Sequence, residues 1–148
     1  MHKIYGVLAL LSLLGGCAAP PSTTTLDEAA GNGSQDLTCN LSSNCVNSLD
    51  SGGLMPLRYV GTAVQALGIL QATLATFPEA QLLHADPLAL KVIFTTPAGF
   101  RDQVDFRIDE QSRRIDFRSR SLFGLFDFGK NRSRMQEFAL RFEAQRMR

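Results

Sequence analysis

The sequence lacks the short motifs of the common catalytic classes. It has no G-x-S-x-G nucleophile elbow, no Walker-type phosphate loop and no cluster of residues with metal-ligand spacing. Of its two histidines, His2 and His84, only His84 lies beyond the N-terminal region. These absences disfavour serine-hydrolase, nucleotide-hydrolase and metalloenzyme chemistry, and we expect no cofactor and no metal.

Basic residues are scarce before residue 101. Residues 18–100 contain two basic and six acidic side chains, whereas residues 101–148 contain twelve basic and eight acidic ones, a local surplus of four positive charges. Such a surplus favours acidic partners, but nucleic-acid binders normally carry a stronger basic excess. We therefore expect no nucleic-acid partner.

The N-terminal apolar run is too short to span a bilayer. Lys3 followed by Ile4–Leu14 has the pattern of an export signal. The run ends in Leu14-Gly15-Gly16-Cys17, which resembles a bacterial lipobox. This pattern predicts a lipoprotein signal peptide over residues 1–16 and lipidation of Cys17; the alternative is an ordinary secretory signal with a chance cysteine.

Lipidation of Cys17 would place the protein on a membrane without spanning it. Two or three acyl chains anchor a protein firmly, because each buried CH₂ contributes about 0.8 kcal/mol. Ala18 follows the cysteine, and the absence of aspartate at that position favours the outer membrane of a Gram-negative cell. The predicted location is the periplasmic face of the outer membrane.

Residues 17–36 form a predicted tether. After the cysteine they are rich in Pro, Ser, Thr, Gly and Ala and poor in large apolar side chains, so they cannot repay the entropy of ordering. A flexible chain of this length reaches about 25 Å. One globular domain is predicted over residues 37–148.

Cys39 and Cys45 remain as an even pair once Cys17 is lipidated. An oxidising compartment favours a disulfide between them, and the short loop that it closes contributes about 2 kcal/mol. The alternative is a metal site that both cysteines share with His84.

Helical periodicity covers Tyr59–Phe77, an uncharged stretch that ends at Pro78. It predicts a helix packed on a sheet and largely covered by its neighbours. A transmembrane helix is the alternative, which Gly61, Gly68 and several polar side chains disfavour. The positions expected on the buried side are Val60, Ala63, Val64, Leu67, Leu70, Leu74 and Phe77.

Strands are predicted at Gln81–Ala85 and Leu88–Thr96, and a hairpin follows them. The four-residue loop Glu110–Arg113 fixes the register of that hairpin, so that oppositely charged side chains face each other on one side and apolar ones on the other. The predicted pairs are Asp109 with Arg114, Arg107 with Asp116, Asp105 with Arg118, Ile108 with Ile115, and Phe106 with Phe117.

A C-terminal helix is predicted from Met135, Phe138, Ala139 and Phe142, which recur at i, i+3, i+4 and i+7. Asn131 is the predicted N-cap. The predicted fold class is α+β: a single domain with a mainly antiparallel sheet of about four strands packed by two helices.

The segment Arg118-Ser119-Arg120-Ser121-Leu122-Phe123-Gly124 is followed by Asp127-Phe128-Gly129-Lys130-Asn131-Arg132-Ser133-Arg134. With this order and spacing it resembles a bacterial family, domain of unknown function 1499. The family pattern runs R-S-x-S-R-x-G-x-x-D-x-G-x-N-R-x-R, and a C-V-S-S motif near its start resembles Cys45-Val46-Asn47-Ser48. Leu122 stands where the family usually has a second arginine. The resemblance implies an envelope or secreted α+β domain and supplies no catalytic residues. The matching residues are Arg118, Ser119, Ser121, Gly124, Asp127, Gly129, Asn131, Arg132 and Arg134.

Cations, hydroxyls and a glycine turn at a helix start are typical of anion-binding surfaces. We therefore predict a noncatalytic module that recognises an anionic group, such as a lipid head or a cell-wall component. The alternative is internal neutralisation of the cations by Asp102 and Asp127. The predicted anion-binding residues are Ser119, Arg120, Ser121, Gly129, Lys130, Asn131, Arg132 and Arg134.

Two further functions stay open. A hydrolase would use an aspartate (Asp102, Asp105 or Asp127) with Ser119 or Ser121, and a contact between a serine and His84 would favour it. An assembly partner would bind through Leu122–Phe128, whose large apolar residues we otherwise expect to be mostly core. The protein partner itself is not predicted.

Overall fold

The computed structural model describes residues 36–49 and 53–148. The predicted signal peptide, Cys17 and the tether up to residue 35 lie outside these ranges. The elements in chain order are β1 (Cys45–Asn47), β2 (Leu57–Arg58), α1 (Ala63–Leu74), β3 (Ala80–Asp86), β4 (Ala89–Thr95), β5 (Arg101–Asp109), β6 (Arg114–Ser121) and α2 (Lys130–Arg146).

The strands form one antiparallel sheet in the order β1-β6-β5-β4-β3, and β2 pairs with β6 beside Ile115. The predicted α+β class with two helices is therefore confirmed. The predicted strand count was low, because the sheet has six strands rather than about four. The two unpredicted strands have three and two residues, too few for an alternating pattern to reveal them.

The β5–β6 hairpin has the predicted register. Asp105 pairs with Arg118, Arg107 with Asp116, and the apolar residues face each other as expected. Because side chains alternate across a strand, the two sides of this hairpin differ completely in character. One side carries the phenylalanines and isoleucines, and the other carries the predicted charge pairs.

Both helices lie on the apolar side of the sheet, which we call the helix-covered face. The opposite side, the open face, carries the charged residues of β5 and β6 except Asp102. The core lies between the helices and the sheet, where the ring of Phe138 contacts the rings of both Phe77 and Phe106. Of the predicted core positions of the last helix, Met135, Phe138 and Phe142 are fully buried and Ala139 is partly buried.

Helix α1 is shorter than predicted, and two of the positions predicted on its buried side are exposed. It begins at Ala63 because Thr62 caps it, in a capping box with Gln65. Val60 and Val64, predicted on the buried side, are 69% and 75% exposed. Ala63, Leu70, Leu74 and Phe77 are buried as predicted, and Ala66 and Thr73 are buried in addition.

Neither helix of the described ranges has the length and apolar character needed to cross a membrane. Helix α1 has 12 residues, so it does not form the transmembrane helix that was the alternative interpretation of its uncharged sequence.

Helix α2 begins differently from the prediction. Its N-cap is Gly129, in the left-handed region at φ 76°, and not Asn131. The carboxylate of Asp127 accepts hydrogen bonds from the backbone N–H groups of Gly129 (3.0 Å) and Asn131 (2.8 Å). Asp127 thereby satisfies helix-terminal donors that an N-cap side chain usually binds. The side chain of Asn131 is thus available to point into the domain.

Candidate functional site

The centre of the predicted site is a buried polar network on the helix-covered face. Arg134 of α2 donates from Nη2 to Oδ2 of Asp102 on β5 at 2.6 Å, and both side chains are about 5% exposed or less. Arg134 also donates from Nη1 to Asn131 and lies over the ring of Phe94. We call Asp102, Ser119, Ser121, Asn131 and Arg134 the internal network.

The two serines of the internal network complete its hydrogen bonds. Ser119 donates from Oγ to Asn131 at 2.6 Å, and Ser121 donates from Oγ to Asp102 at 2.6 Å. The amide of Asn131 donates in turn to Ser121 and to the backbone oxygen of Asn44. Polar groups buried in this way stabilise a fold only when they are fully paired. The network therefore ties β5, β6, α2 and the segment before β1 together.

The cations predicted to bind an anion do not converge on one place. Arg134 is neutralised by Asp102, which is the internal alternative that the sequence left open. Arg120 projects from the opposite, open face of the sheet. Lys130 is exposed and Arg132 half-buried in the first turn of α2, beside the Asp127 carboxylate that holds Gly129 and Asn131. Anion binding by Arg120, Lys130 and Arg132 stays a prediction.

Neither Ser119 nor Ser121 forms a catalytic pair with His84. His84 lies on edge strand β3 and contacts Asp86 at 2.9 Å. Strands β4 and β5 separate it from the serines of β6, whose hydroxyls donate to Asn131 and Asp102. The serine–histidine contact that would favour a hydrolase is not formed.

The predicted disulfide is present, with Cys39 and Cys45 joined by an S–S bond of 2.09 Å. The metal site that these cysteines would share with His84 is therefore not formed. No group of three or more His, Cys, Asp or Glu within residues 36–49 and 53–148 is placed to hold a metal ion.

The loop Leu122–Phe128, which we call the apolar loop, is exposed. This contradicts the expectation that its large side chains are mostly core. The core is closed without them, because Met135, Phe138 and Phe142 of α2 already fill the space against the sheet. The exposed fractions are 44% for Leu122, 79% for Phe123, 68% for Leu125, 67% for Phe126 and 99% for Phe128.

The backbone of the apolar loop is held although its side chains are not. Ser43 donates from Oγ to the oxygen of Leu125 at 2.5 Å, and Asn44 donates from Nδ2 to the oxygen of Gly124 at 2.6 Å. The N–H of Asp127 donates back to the oxygen of Ser43. Ser43 and Asn44 lie inside the ring closed by the disulfide, so the disulfide loop fixes the apolar loop.

Sequence reasoning missed Ser43 and Asn44 as supports of this site. They lie in the segment Asn40–Asn44, whose serine and asparagine side chains are typical of loops that bond to nearby backbone. That signal indicates a loop but not its partner, because the partner residues lie about 80 positions further along the chain.

The open face carries an ion-pair ladder. Arg118 donates to Asp105, and Asp116 forms ion pairs with Arg107 and Arg114. Asp105 and Asp116 are each about 1% exposed, because the arginine side chains lie over them. These arginines have structural partners, as the predicted charge pairing requires.

A sequence model described as protein of unknown function (DUF1499) matches residues 37–142. The chain belongs to the DUF1499 family. No curated protein matches the chain. In this DUF1499 domain most of the motif side chains have structural tasks: the internal network uses Ser119, Ser121, Asn131 and Arg134, Asp127 caps α2, and Arg118 joins the ladder.

A groove of about 480 Å³ lies between α2 and the segment before β2, away from the motif. Apolar side chains such as Met55, Leu57 and Leu140 line it. None of the residues predicted to bind an anion borders it. Two features near the motif have no structural explanation among the described residues: the apolar side chains of the loop, and the exposed cations Arg101 and Lys130.

Proposed function

We propose that this protein is a noncatalytic, lipid-anchored envelope protein whose DUF1499 domain docks on an anionic lipid surface through the apolar loop. The observation that carries the proposal is the exposure of five large apolar side chains within seven residues on a backbone that is held in place. Exposed apolar patches on soluble domains mark sites of protein or membrane contact.

The apolar loop fits a bilayer surface better than a pocket-forming partner. It connects β6 to α2 with its side chains exposed, and each fully buried Leu or Phe side chain contributes about 1.5–3 kcal/mol. Phe100 is 56% exposed and belongs to the same end of the sheet, since the N–H of Leu122 donates to the oxygen of Arg101.

Two exposed cations lie at the ends of the apolar loop. Arg101 is at the start of β5, where its backbone oxygen accepts the N–H of Leu122, and Lys130 is the first residue of α2. Neither forms an ion pair with the described residues. The one carboxylate within the loop, Asp127, accepts the N–H groups of α2. Cations beside apolar side chains favour anionic lipid headgroups.

The anchor predicted at Cys17 supports a lipid surface as the partner. A tether of about 25 Å would keep the domain at a high effective concentration beside the bilayer. The described chain then passes from Leu37 through Cys39 into the disulfide loop that holds the apolar loop. The predicted setting is the periplasmic face of the outer membrane.

The absence of tryptophan from the sequence allows a direct test. Phe126→Trp in the full lipidated chain places a single tryptophan in the apolar loop. In vesicles that contain brominated phosphatidylglycerol we expect a blue-shifted emission and strong quenching. Leu140→Trp is the matched control, because Leu140 is 74% exposed on α2 and lies outside the loop.

Equal quenching of the two variants would overturn the proposal. So would an emission of the Phe126→Trp variant that stays at the wavelength of a solvent-exposed indole in all vesicles. Blue-shifted emission of that variant in native envelopes without quenching by bromolipid would instead indicate a protein partner, the alternative that the exposed loop also fits.

A further inference from the structure

Two cations on the open face lie next to the apolar loop. Arg120 on β6 is opposite Gln103 on β5, and Arg101 is two residues from Gln103 on the same side of that strand. Diagonal neighbours in an antiparallel sheet are about 7–8 Å apart at Cα. Arg101 and Arg120 therefore project from one end of the open face, where Leu122 begins the apolar loop.

Arg118 and Arg120 are two residues apart on the same face, but only Arg118 has acceptors for its Nε and for both Nη groups. Arg118 donates to Asp105 from Nε and Nη2 and to the backbone oxygen of Thr38 from Nη1. Arg120 makes one long hydrogen bond, from Nη2 to Oε1 of Gln103 at 3.4 Å. The same fold thus neutralises one arginine of this strand and not the other.

The Nε–H of Arg120 is buried and has no acceptor within the described ranges. Buried donors are almost always paired in native proteins, and an unpaired one calls for a specific explanation. Neither neighbouring acceptor pairs this N–H. Asp105 binds Arg118, and Oε1 of Gln103 accepts from Nη2 of Arg120 and not from Nε.

Arg101 is exposed and makes no side-chain hydrogen bond or ion pair within the described part of the chain. The acidic residue in line with it is Glu79, which lies two strands away beyond Thr95. Arg101 and Arg120 therefore present two unneutralised guanidinium groups side by side.

We propose that Arg101 and Arg120 bind the phosphodiester of a phospholipid headgroup while the apolar loop enters the bilayer. The inference rests on the proposed docking and names the headgroup chemistry that it recognises. Guanidinium groups offer paired N–H donors that match phosphate oxygens, and neither Arg101 nor Arg120 has a carboxylate partner among the described residues. Because the N–H of Leu122 donates to the oxygen of Arg101, the proposed headgroup site lies beside the start of the apolar loop.

The test observes the arginine Nε–Hε signals by NMR in the full chain held in maltoside micelles, which contain no phosphorus. Short-chain phosphatidylglycerol should shift the signals of Arg101 and Arg120 together and saturably. Arg113 is the control signal, since it lies in the turn at the opposite end of β5 and β6. Inorganic phosphate should shift the same two signals at higher concentration, because it lacks acyl chains.

Arg120→Gln should weaken the apparent affinity for short-chain phosphatidylglycerol about tenfold, the loss expected for a charge-assisted hydrogen bond. Arg113→Gln removes the same charge from the other end of the hairpin and should change nothing. Arg120→Lys keeps the charge but not the guanidinium fork, and we expect an affinity between those of Arg120→Gln and the unmodified chain.

Acetate shifting the two signals as strongly as phosphate would overturn the inference, because the site would then recognise charge alone. A response to inorganic phosphate without a response to the lipid would overturn the headgroup assignment. Quenching of the Phe126→Trp variant by bromolipid without any lipid-induced shift of Arg101 and Arg120 would reject this inference and leave membrane docking intact. Absence of quenching would reject the docking itself.

Discussion

The internal network and the apolar loop are neighbours in sequence and opposites in structure. Arg134, Asn131, Ser119 and Ser121 are polar, yet they pack inside the domain in a closed set of hydrogen bonds. The residues of Leu122–Phe128 are mostly apolar, yet their side chains face solvent. The polar part of the family motif therefore builds the fold, and the apolar part between its two halves is available for contact.

The largest effect should come from breaking the internal network. Arg134→Leu leaves the carboxylate of Asp102 buried without its cation, and removal of one partner of a buried ion pair costs about 3–5 kcal/mol. Urea unfolding measures the loss. Lys130→Met, which removes an exposed cation one turn earlier, should change the unfolding free energy by less than about 0.5 kcal/mol. A loss below about 1 kcal/mol for Arg134→Leu would show that the network contributes little.

A smaller effect is expected from the disulfide. It closes the loop that contains Asn44, which contacts both the internal network and the apolar loop. Cys39→Ser with Cys45→Ser removes a short covalent loop, and the chain-entropy estimate is about 2 kcal/mol. Because Ser43 and Asn44 lie in that loop, backbone amide exchange at residues 124–127 should also accelerate. Amides of α2 beyond its first turn serve as the internal reference. Unchanged exchange at residues 124–127 would show that the apolar loop holds itself.

A smaller effect still is expected from pH at the far end of the hairpin. Hydrogen bonds from the side chain and the backbone N–H of Ser112 lower the pKa of Asp109 below its ordinary value of 3.8. The stability that this carboxylate contributes is present above pH 3.8 and is lost as pH falls through the lowered pKa. Asp109→Asn should therefore flatten the dependence of the urea midpoint on pH between about 5 and 2.

Glu110→Gln is the control for this comparison, since Glu110 is exposed in the same turn. It should leave the slope of the urea midpoint against pH unchanged. An identical slope for Asp109→Asn and the chain without substitutions would contradict the contribution of the Asp109 carboxylate to stability.

The smallest effect on stability is expected in the apolar loop. Leu125→Ser with Phe126→Ser should change the unfolding free energy by no more than about 0.5 kcal/mol, because both side chains are about two-thirds exposed. Leu140→Ser is the matched control. A cost above about 2 kcal/mol for the double variant would mean that the loop packs against the domain and would remove the contrast between the two regions.

Local patterns predicted several parts of this domain correctly. The register of β5 and β6 followed from alternation and loop length, and the pairing of Cys39 with Cys45 followed from the count of cysteines. The core positions of α2 followed from helical spacing. In each case the physical constraint acts between residues close in sequence, so the sequence pattern is enough to predict the outcome.

Contacts between distant segments were not predictable in the same way. The partner of Arg134 is 32 residues away on β5, and β1 and β2 form only because β6 offers them an edge. The predicted N-cap at Asn131 was wrong because Asp127 supplies that function and Asn131 is drawn into the buried network. These outcomes depend on which elements meet.

By itself the sequence determined the α+β class, the hairpin register, the disulfide and the family, because alternation, spacing and composition act locally. Only the tertiary structure decided that Arg134 is neutralised, that Arg120 lies on the other side of the sheet and that the apolar loop is exposed. An apolar side chain is buried only if another element covers it. Here Met135, Phe138 and Phe142 complete the core, and no other described element covers the side chains of the loop.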